Sequence, residues 1–360
     1  MTAPVPASES DAASVAFHLA LTQIGVATIQ DALDLWSNVP PARTTALSAA
    51  WLARAVRLVM IRRRQSRDLA MAYYRLARAL RTGTTIADPR RPAPPYVTLS
   101  MLRAEFTALT SPEAPQEDAE EPAGTTSRPI PERPAESGPE PESRPTDTPE
   151  EDRVPVETID GLDRELERLE REAEAEARLV LEVLGLDNLD SKLNEIDEEL
   201  PASEVDAMRA EAHRKAGAHQ AAAAERVAMN GARSTTWATA ERDRRVLGYV
   251  RLSRTGTPCG WCAMLISRGA VYRSEQSAIY ADGDKYHDGC HCYCEVIYTR
   301  EQFDQSSLTS LNRRYRAEWK THIADKGFKG KAALTEWRRR IRREQREAAR
   351  LARARPGDAA

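Results

Sequence analysis

The longest helix-forming stretch of the chain covers residues 202–251 and reads ASEVDAMRAEAHRKAGAHQAAAAERVAMNGARSTTWATAERDRRVLGYVR. Alanine has the highest helix propensity of the natural residues, and Pro201 and Ser203 provide a start signal. We therefore predict one helix over the whole stretch, leading directly into a cysteine-rich region that begins at Cys259. For the chain as a whole we predict a mainly α fold.

Apolar residues at helical intervals extend this prediction toward the N-terminus. From Leu162, the sequence LDRELERLEREAEAEARLVLEVL carries one apolar stripe on a Glu/Arg background, which is typical of an amphipathic helix or a coiled coil. Residues 14–39 and 45–82 predict two further helices, separated by Pro40 and Pro41 and ended by Gly83. These two form a predicted helical hairpin.

Between these helical parts lies a segment with the composition of a disordered linker. Residues 111–160 contain 11 of the 22 prolines, with 15 acidic and 4 basic residues. Such a segment cannot bury enough apolar surface to offset the entropy lost on ordering. The predicted organisation is an N-terminal helical region at 14–106, a linker at 107–158, a domain at 159–306 with a Cys/His knuckle at 259–294, and a basic helical arm at 307–360.

Positive charge is concentrated in two blocks on either side of the acidic linker. Residues 43–91 carry 12 basic and 2 acidic residues, and residues 311–355 carry 16 basic and 5 acidic residues. Arg62, Arg63 and Arg64 in the first block predict either a solvated face or a patch that binds phosphate or carboxylate groups. The second block predicts either a helix that binds an anionic partner or a solvated helix packed through the apolar stripe of Trp337, Ile341 and Leu351.

The N-terminus lacks the basic and apolar regions of a signal peptide, and from the sequence we expect no apolar run of the length that spans a membrane. We therefore expect the chain to act in a reducing cytoplasm and to bind no membrane. In that compartment, clustered cysteines more often bind metal than form disulfides.

All five cysteines fall within 36 residues, in PCGWC at 258–262 and YHDGCHCYC at 286–294. A C-x2-C turn directs two thiolates at one centre, and zinc requires four tetrahedral ligands. The predicted ligands of a structural zinc ion are Cys259 and Cys262 with two of His287, Cys290 and Cys292. Cys294 is the predicted spare, and His291 is predicted to point away.

Three other chemistries would use the same residues. CGWC is a dithiol motif, although a thioredoxin-like site needs a strand-to-helix turn in a βαβ unit, and the predicted helix before Cys259 does not supply one. Disulfides in a hardened extracellular particle are the second. A catalytic zinc is the third, and it would need an open coordination position and a carboxylate such as Asp288 or Glu295.

The stretch WATAERDRRVLGYVRLSRTGTPCGWCAMLISRGAVY, followed by YHDGCHC, resembles the phage Mu F-like (MuF-like) minor head proteins. The resemblance covers about residues 203–298 and is carried by Cys259, Cys262, Arg268 and Gly269, with His287, Cys290 and Cys292 downstream. Many relatives have H-P-x-C-R-C where this chain has H-D-G-C-H-C, and Cys294 is additional.

The resemblance implies a minor structural protein of a tailed-phage head that is associated with the portal and aids head assembly or DNA packaging and delivery. It implies portal protein and major capsid protein as partners. The charge of the basic segments predicts contact either with packaged DNA or with an acidic capsid surface. The implied location is the host cytoplasm during assembly and then the virion head. A capsid maturation protease or toxin-like enzyme linked to a MuF-like region is the alternative, and a DNA-binding protein is a further one. No catalytic constellation is evident, so a non-enzymatic role is favoured.

Overall fold

A computed structural model of the chain describes residues 8–40, 45–111, 152–253, 257–270, 286–290 and 292–353. Most of these residues are helical, which confirms the predicted mainly α class. The elements before residue 112 are α1 (Glu9–Ser37), α2 (Thr45–Thr82), β1 (Thr85–Ile86), β2 (Tyr96–Thr98) and α3 (Leu99–Thr110). The later elements are β3 (Arg153–Glu157), α4 (Leu162–Leu181), α5 (Asn188–Asn194), α6 (Ala202–Arg242), β4 (Gly248–Ser253), α7 (Gly260–Ser267), β5 (Cys292–Ile297), α8 (Arg300–Gln305), α9 (Ser310–Trp319) and α10 (Gly330–Arg353). A π-helical turn (Glu182–Asp187) joins α4 to α5, and another (Lys320–Ala324) follows α9.

Helix α6 is the central element, and α1, α2 and α4 pack around it. Its small residues allow this close approach. A Cβ atom on Gly217 would lie 2.5 Å from the Trp36 ring, and one on Gly231 would lie 2.4 Å from the Arg63 carbonyl oxygen. The alanine-rich composition that favours helix formation therefore also permits tight helix packing.

The predicted helix across residues 202–251 is too long by nine residues. Helix α6 ends at Arg242, where the backbone of Asp243 turns to an extended conformation. Residues 248–253 form β4 instead, which pairs antiparallel with β5 in the register Arg251↔Cys294. Tyr249 and Val250 of β4 suit a strand, and the six residues of β5 that pair with β4 lie at least 39 residues away in the sequence.

A second small sheet joins the two sides of the predicted linker. Its strand order is β1–β3–β2, with β3 parallel to β1 and antiparallel to β2. The predicted linker at 107–158 thus overlaps the end of α3 and all of β3, while residues 112–151 lie outside the described residues.

The N-terminal and C-terminal parts share their cores. Met71 and Tyr74 of α2 belong to the same buried cluster as Cys262, Trp337 and Ile341. Phe17 of α1 belongs to a second cluster that contains residues of β4 and β5. The predicted domain boundaries stay predictions, but the packing shows that these regions are in direct contact.

Helix α1 is long and apolar enough to span a membrane by length and composition, contrary to the expectation from the sequence. In the most apolar window, 44% of the residues are buried inside the protein. The buried side packs against α2 and α6. The opposite side exposes Val15, Leu19, Val26 and Leu33.

Candidate metal centre

The first half of the cysteine cluster lies at the N-terminus of α7. Cys259 is the N-cap residue, and its sulfur accepts a hydrogen bond from the backbone N–H of Cys262 at 3.4 Å. A Cβ atom on Gly260 would lie 2.9 Å from Cγ and 3.2 Å from Cα of Arg338. Glycine at this position therefore lets α10 approach the C-x2-C turn closely.

The second half is a tight turn that leads into β5. The N–H of Cys290 donates to the carbonyl of His287 at 3.0 Å, and Gly289 has a φ of +67°, which a residue with a Cβ atom rarely adopts. This turn brings His287 back toward the thiols. His291 lies outside the described residues.

The structure brings all five predicted ligands together in two overlapping groups. The ligand atoms of Cys259, Cys262 and His287 lie within 4.8 Å of one another, as do those of Cys262, Cys290 and Cys292. His287 Nε2 is 3.3 Å from the sulfur of Cys259 and 3.7 Å from that of Cys262, whose sulfur is 3.6 Å from that of Cys290.

These spacings fit a tetrahedral metal site. With Zn–S bonds of about 2.3 Å and Zn–N bonds of about 2.0 Å, tetrahedral geometry places neighbouring ligand atoms about 3.5–3.8 Å apart. The three separations above match this range to within about 0.2 Å. The cluster could therefore hold a metal ion, and its sulfur-rich donor set suits zinc.

Cys294 is engaged elsewhere. Its sulfur lies 2.9 Å from the hydroxyl oxygen of Tyr286, and the ring of Tyr286 is stacked between two arginines. The guanidinium carbons of Arg233 and Arg251 lie 4.1 Å and 4.0 Å from the ring centroid. Cys294 belongs to neither group of ligand atoms among the described residues, and its role as the spare cysteine stays a prediction.

Two arginines of α6 hold the second half in place. Arg233 donates to the carbonyl of Cys290 at 2.5 Å and to that of Cys292 at 3.1 Å. Arg226 binds the carboxylates of Asp288, at 2.6 Å, and Glu176. These contacts could not be predicted from the sequence, because both arginines lie at least 57 residues from their partners in the turn. The only local signal was that the predicted helix is rich in arginine.

His287 is also oriented by its second ring nitrogen. Nδ1 lies 2.8 Å from the carbonyl oxygen of Asp288, so an N–H there donates to that oxygen and leaves Nε2 facing the sulfurs. Metal-binding histidines commonly have such a partner, because it fixes the tautomer and the ring orientation.

The close thiols strongly affect each other's ionisation. The hydrogen bond from Cys262, with further help from His287, lowers the pKa of Cys259 to about 4. Hydrogen bonds to Cys259 and Cys290 raise the pKa of His287 to about 11 and also raise the pKa of Cys262. Without a cation the cluster would thus hold ionised and protonated thiols side by side, whereas a divalent ion stabilises several thiolates at once.

The two carboxylates considered for catalysis are engaged elsewhere. Asp288 is paired with Arg226. Glu295 is on the opposite face of β5 from Cys292 and Cys294, where it accepts hydrogen bonds from Tyr73 and Ser14 at 2.7–2.9 Å. Neither is placed as a free base beside the cluster.

The backbone around the C-x2-C turn bears on the redox alternative. A strand, β4, precedes α7, which contradicts the prediction of a helix there. Its neighbour β5 is antiparallel, however, so the unit is not the βαβ arrangement of thioredoxin-like sites. All five cysteines are free thiols.

With this geometry established, the chain can be compared with known proteins. Residues 159–318 match the family described as VG15 protein. This is a viral, phage-type family, and the match covers less than half of the chain, from α4 to α9. No curated protein and no solved structure matches. The match supports a viral origin, and the more specific MuF-like resemblance stays a prediction.

Proposed function

We propose that the chain is a minor structural protein of a tailed-phage head that associates with the portal and aids head assembly or DNA packaging and delivery. The observation that carries this proposal is the match of residues 159–318 to a phage-type family, which includes the entire cysteine cluster. The N-terminal helices pack onto this region, so the whole described structure would act as one assembly component. Portal and major capsid proteins are the proposed partners.

The proposed role of the cluster is structural. A zinc ion bound by Cys259, Cys262, His287 and Cys290 would connect the start of α7 to the turn before β5, and the three short separations join these four residues. Cys292 is the alternative fourth ligand, because its sulfur lies within 4.8 Å of those of Cys262 and Cys290. When bound, zinc would supply charge neutralisation for the thiolates and a cross-link within a small α+β unit.

Association with the head is tested by purifying assembled heads from infected cells and by co-expressing the chain with portal protein alone. We expect the chain to be present in heads at low copy number and to co-purify with portal. Its absence from assembled heads would refute a structural role. Presence in heads without binding to isolated portal would redirect the proposal toward the capsid protein.

The zinc proposal is tested by metal analysis of protein purified under reducing conditions. We expect about one zinc ion per chain, the stoichiometry of one four-ligand site. Cys262→Ser should lose the ion and lower the thermal stability, since Cys262 belongs to both ligand groups. Cys294→Ser is the matched control and should retain the ion. Full thermal stability of zinc-free wild-type protein would exclude a structural metal.

Comparison of Cys290→Ser with Cys292→Ser identifies the fourth ligand. We expect zinc to be lost from the first variant and retained by the second. The reverse result would assign Cys292 to the ion and leave Cys290 as its neighbour.

A further inference from the structure

Helix α10 carries four arginines in a line along its outer side, Arg339, Arg343, Arg346 and Arg350, here called the α10 arginine stripe. At about 100° of rotation per residue these positions fall within about 60° of one another, and at about 1.5 Å of rise per residue they extend over about 16 Å. All four are exposed.

The opposite side of α10 fixes this orientation. Trp337 and Ile341 are 0% and 1% exposed, and by helical geometry they lie opposite the stripe. The Trp337 ring packs edge-on against Tyr315 and Trp319 of α9, with ring centroids 5.6 Å and 5.2 Å away. Leu351, predicted to continue the buried stripe, is 56% exposed.

Polar contacts hold α10 to the body on both flanks. Gln345 donates to the carbonyl of Pro258 at 2.9 Å, beside the C-x2-C turn. Ion pairs join Arg340 to Glu318 at 3.0 Å and Glu344 to Arg314 at 2.7 Å. The stripe is therefore presented by a helix that is fixed to the protein through at least Gln345.

The stripe makes few ion pairs, although the exposed Glu347 lies on the same side of the helix, four residues after Arg343. Arg339 lies 3.3 Å from Glu336, an exposed pair on the same helix. Within the described part of the chain, Arg343, Arg346 and Arg350 have no ion-pair partner, nor have the neighbouring Arg338 and Arg342. A row of guanidinium groups on a rigid support is chemically suited to phosphate groups, which arginine binds through paired N–H donors.

We infer that the α10 arginine stripe is a sequence-independent interface for the phosphate backbone of duplex nucleic acid. Four cations in a line match the regularly spaced phosphates of a duplex. All four are arginines rather than lysines, and the arginine fork matches the geometry of a phosphate group. The expected contacts are to phosphates, since the inner side of α10 is covered by α7 and by the Tyr315 and Trp319 rings of α9, and its free side carries a row of arginines. This inference deepens the proposed function by naming packaged DNA as the partner of one surface.

The test measures binding of a fluorescent duplex of about 30 base pairs and mixed sequence to the full-length, zinc-containing protein at several salt concentrations. With four phosphate contacts the logarithm of the affinity should fall with a slope near −3.6 against the logarithm of salt, or about 100-fold between about 50 and about 200 mM. Replacing all four stripe arginines by glutamine should weaken binding at least about tenfold and remove most of that slope.

The matched control removes the same charge elsewhere. Each of its four side chains is at least 42% exposed on α4 or α6 and is paired with a carboxylate of the same helix: Arg171→Gln, Arg209→Gln, Arg214→Gln and Lys215→Gln. This variant should bind duplex nearly as the wild type does. Circular dichroism and zinc content should be unchanged in both variants, which shows that each is folded.

Three results would overturn the inference: wild-type affinity of the stripe variant, equal loss in both variants, or no binding by the wild type. A further outcome concerns a synthetic peptide of residues 112–151. If the wild-type protein binds this peptide but not the duplex, and the stripe variant does not bind the peptide, the stripe is an interface for the chain's own acidic segment. Every measurement in this test uses purified protein and duplex. A negative result would therefore refute the duplex interface without changing the outcome of the portal experiment that tests the proposed head function.

Discussion

Helices α2 and α10 have similar arginine-rich sequences but use their arginines in opposite ways. Most arginines of α2 bind carboxylates elsewhere in the chain, whereas most of those on the outer side of α10 have no ion-pair partner among the described residues. The α2 pairs are Arg62–Asp31, Arg63–Glu170, Arg67–Glu170, Arg75–Glu105, Arg78–Asp243, Arg78–Glu157 and Arg81–Asp11.

The difference follows from where each helix lies. Helix α2 is surrounded by α1, α3, α4 and α6, so its arginines are desolvated and need partners. Arg63, for example, is buried, and it also donates to the carbonyl of Val227 and the hydroxyl of Ser234. Arg63 is therefore not on a solvated face, and the carboxylate that it binds belongs to Glu170 of the same chain. A block of positive charge indicates an external partner only where folding leaves it without an internal one.

The largest effect should come from breaking the most buried of the α2 pairs. Arg78 and Asp243 are 1% and 2% exposed in their side chains and lie 2.7 Å apart, and Tyr74 also donates to Asp243. Arg78→Ala should lower the free energy of unfolding by about 3–5 kcal/mol, because it leaves a buried carboxylate without its charge partner. Urea unfolding of the zinc-containing protein measures this loss.

A double-mutant cycle provides the control for this prediction. Adding Asp243→Ala to Arg78→Ala should cost much less than the sum of the two single losses, since the unpaired charge is removed as well. If the two losses of unfolding free energy are additive, the two side chains do not stabilise each other. The difference between the internally paired arginines of α2 and the unpaired arginines of α10 would then be weaker.

A second effect concerns a buried carboxylate that faces α2 without an arginine partner. Glu295 is 3% exposed, and its hydrogen-bond donors are Tyr73 and Ser14. Burial raises its pKa from 4.5 to about 7. Since the folded state then holds the proton more tightly than the unfolded state, this group's contribution to stability is complete below about pH 4.5 and is lost as the pH rises to about 7.

The size of this effect follows from the shift in pKa. At about 1.4 kcal/mol per pKa unit, the ionised Glu295 destabilises the fold by about 3 kcal/mol above pH 7 relative to its protonated form. Glu295→Gln should therefore gain about that much stability relative to wild type between pH 4.5 and pH 8. Glu301→Gln on the exposed side of α8 is the control. A stability difference between Glu295→Gln and wild type that is independent of pH would show that Glu295 stays ionised in the fold.

The contrast between the two helices also shows what the sequence alone could predict. The start of α2 at Thr45 and its end before Gly83 follow from local signals. The grouping of the cysteines with His287 followed from spacing. Local patterns could not reveal β4 or the β1–β3–β2 sheet, because short strands depend on distant partners. For the same reason they could not separate Arg63, whose carboxylate partner is 107 residues away, from Arg343.

The smallest effect should come from the outer side of α10, where two neighbouring arginines differ in their pairing. Arg340 binds Glu318 of α9 at 3.0 Å, whereas Arg343 belongs to the α10 arginine stripe. Arg343→Ala should change the free energy of unfolding by less than about 0.5 kcal/mol, as expected for an exposed side chain without a structural contact. Arg340→Ala should cost up to about 1 kcal/mol, the upper range for a partly exposed ion pair. Urea unfolding at low and high salt separates the two variants, because only the stability loss of Arg340→Ala should become smaller as salt screens the ion pair.

A loss of unfolding free energy in Arg343→Ala as large as that in Arg78→Ala would mean that the stripe is needed for folding. Its arginines would then resemble those of α2, and the case for an external polyanion would lose its structural basis.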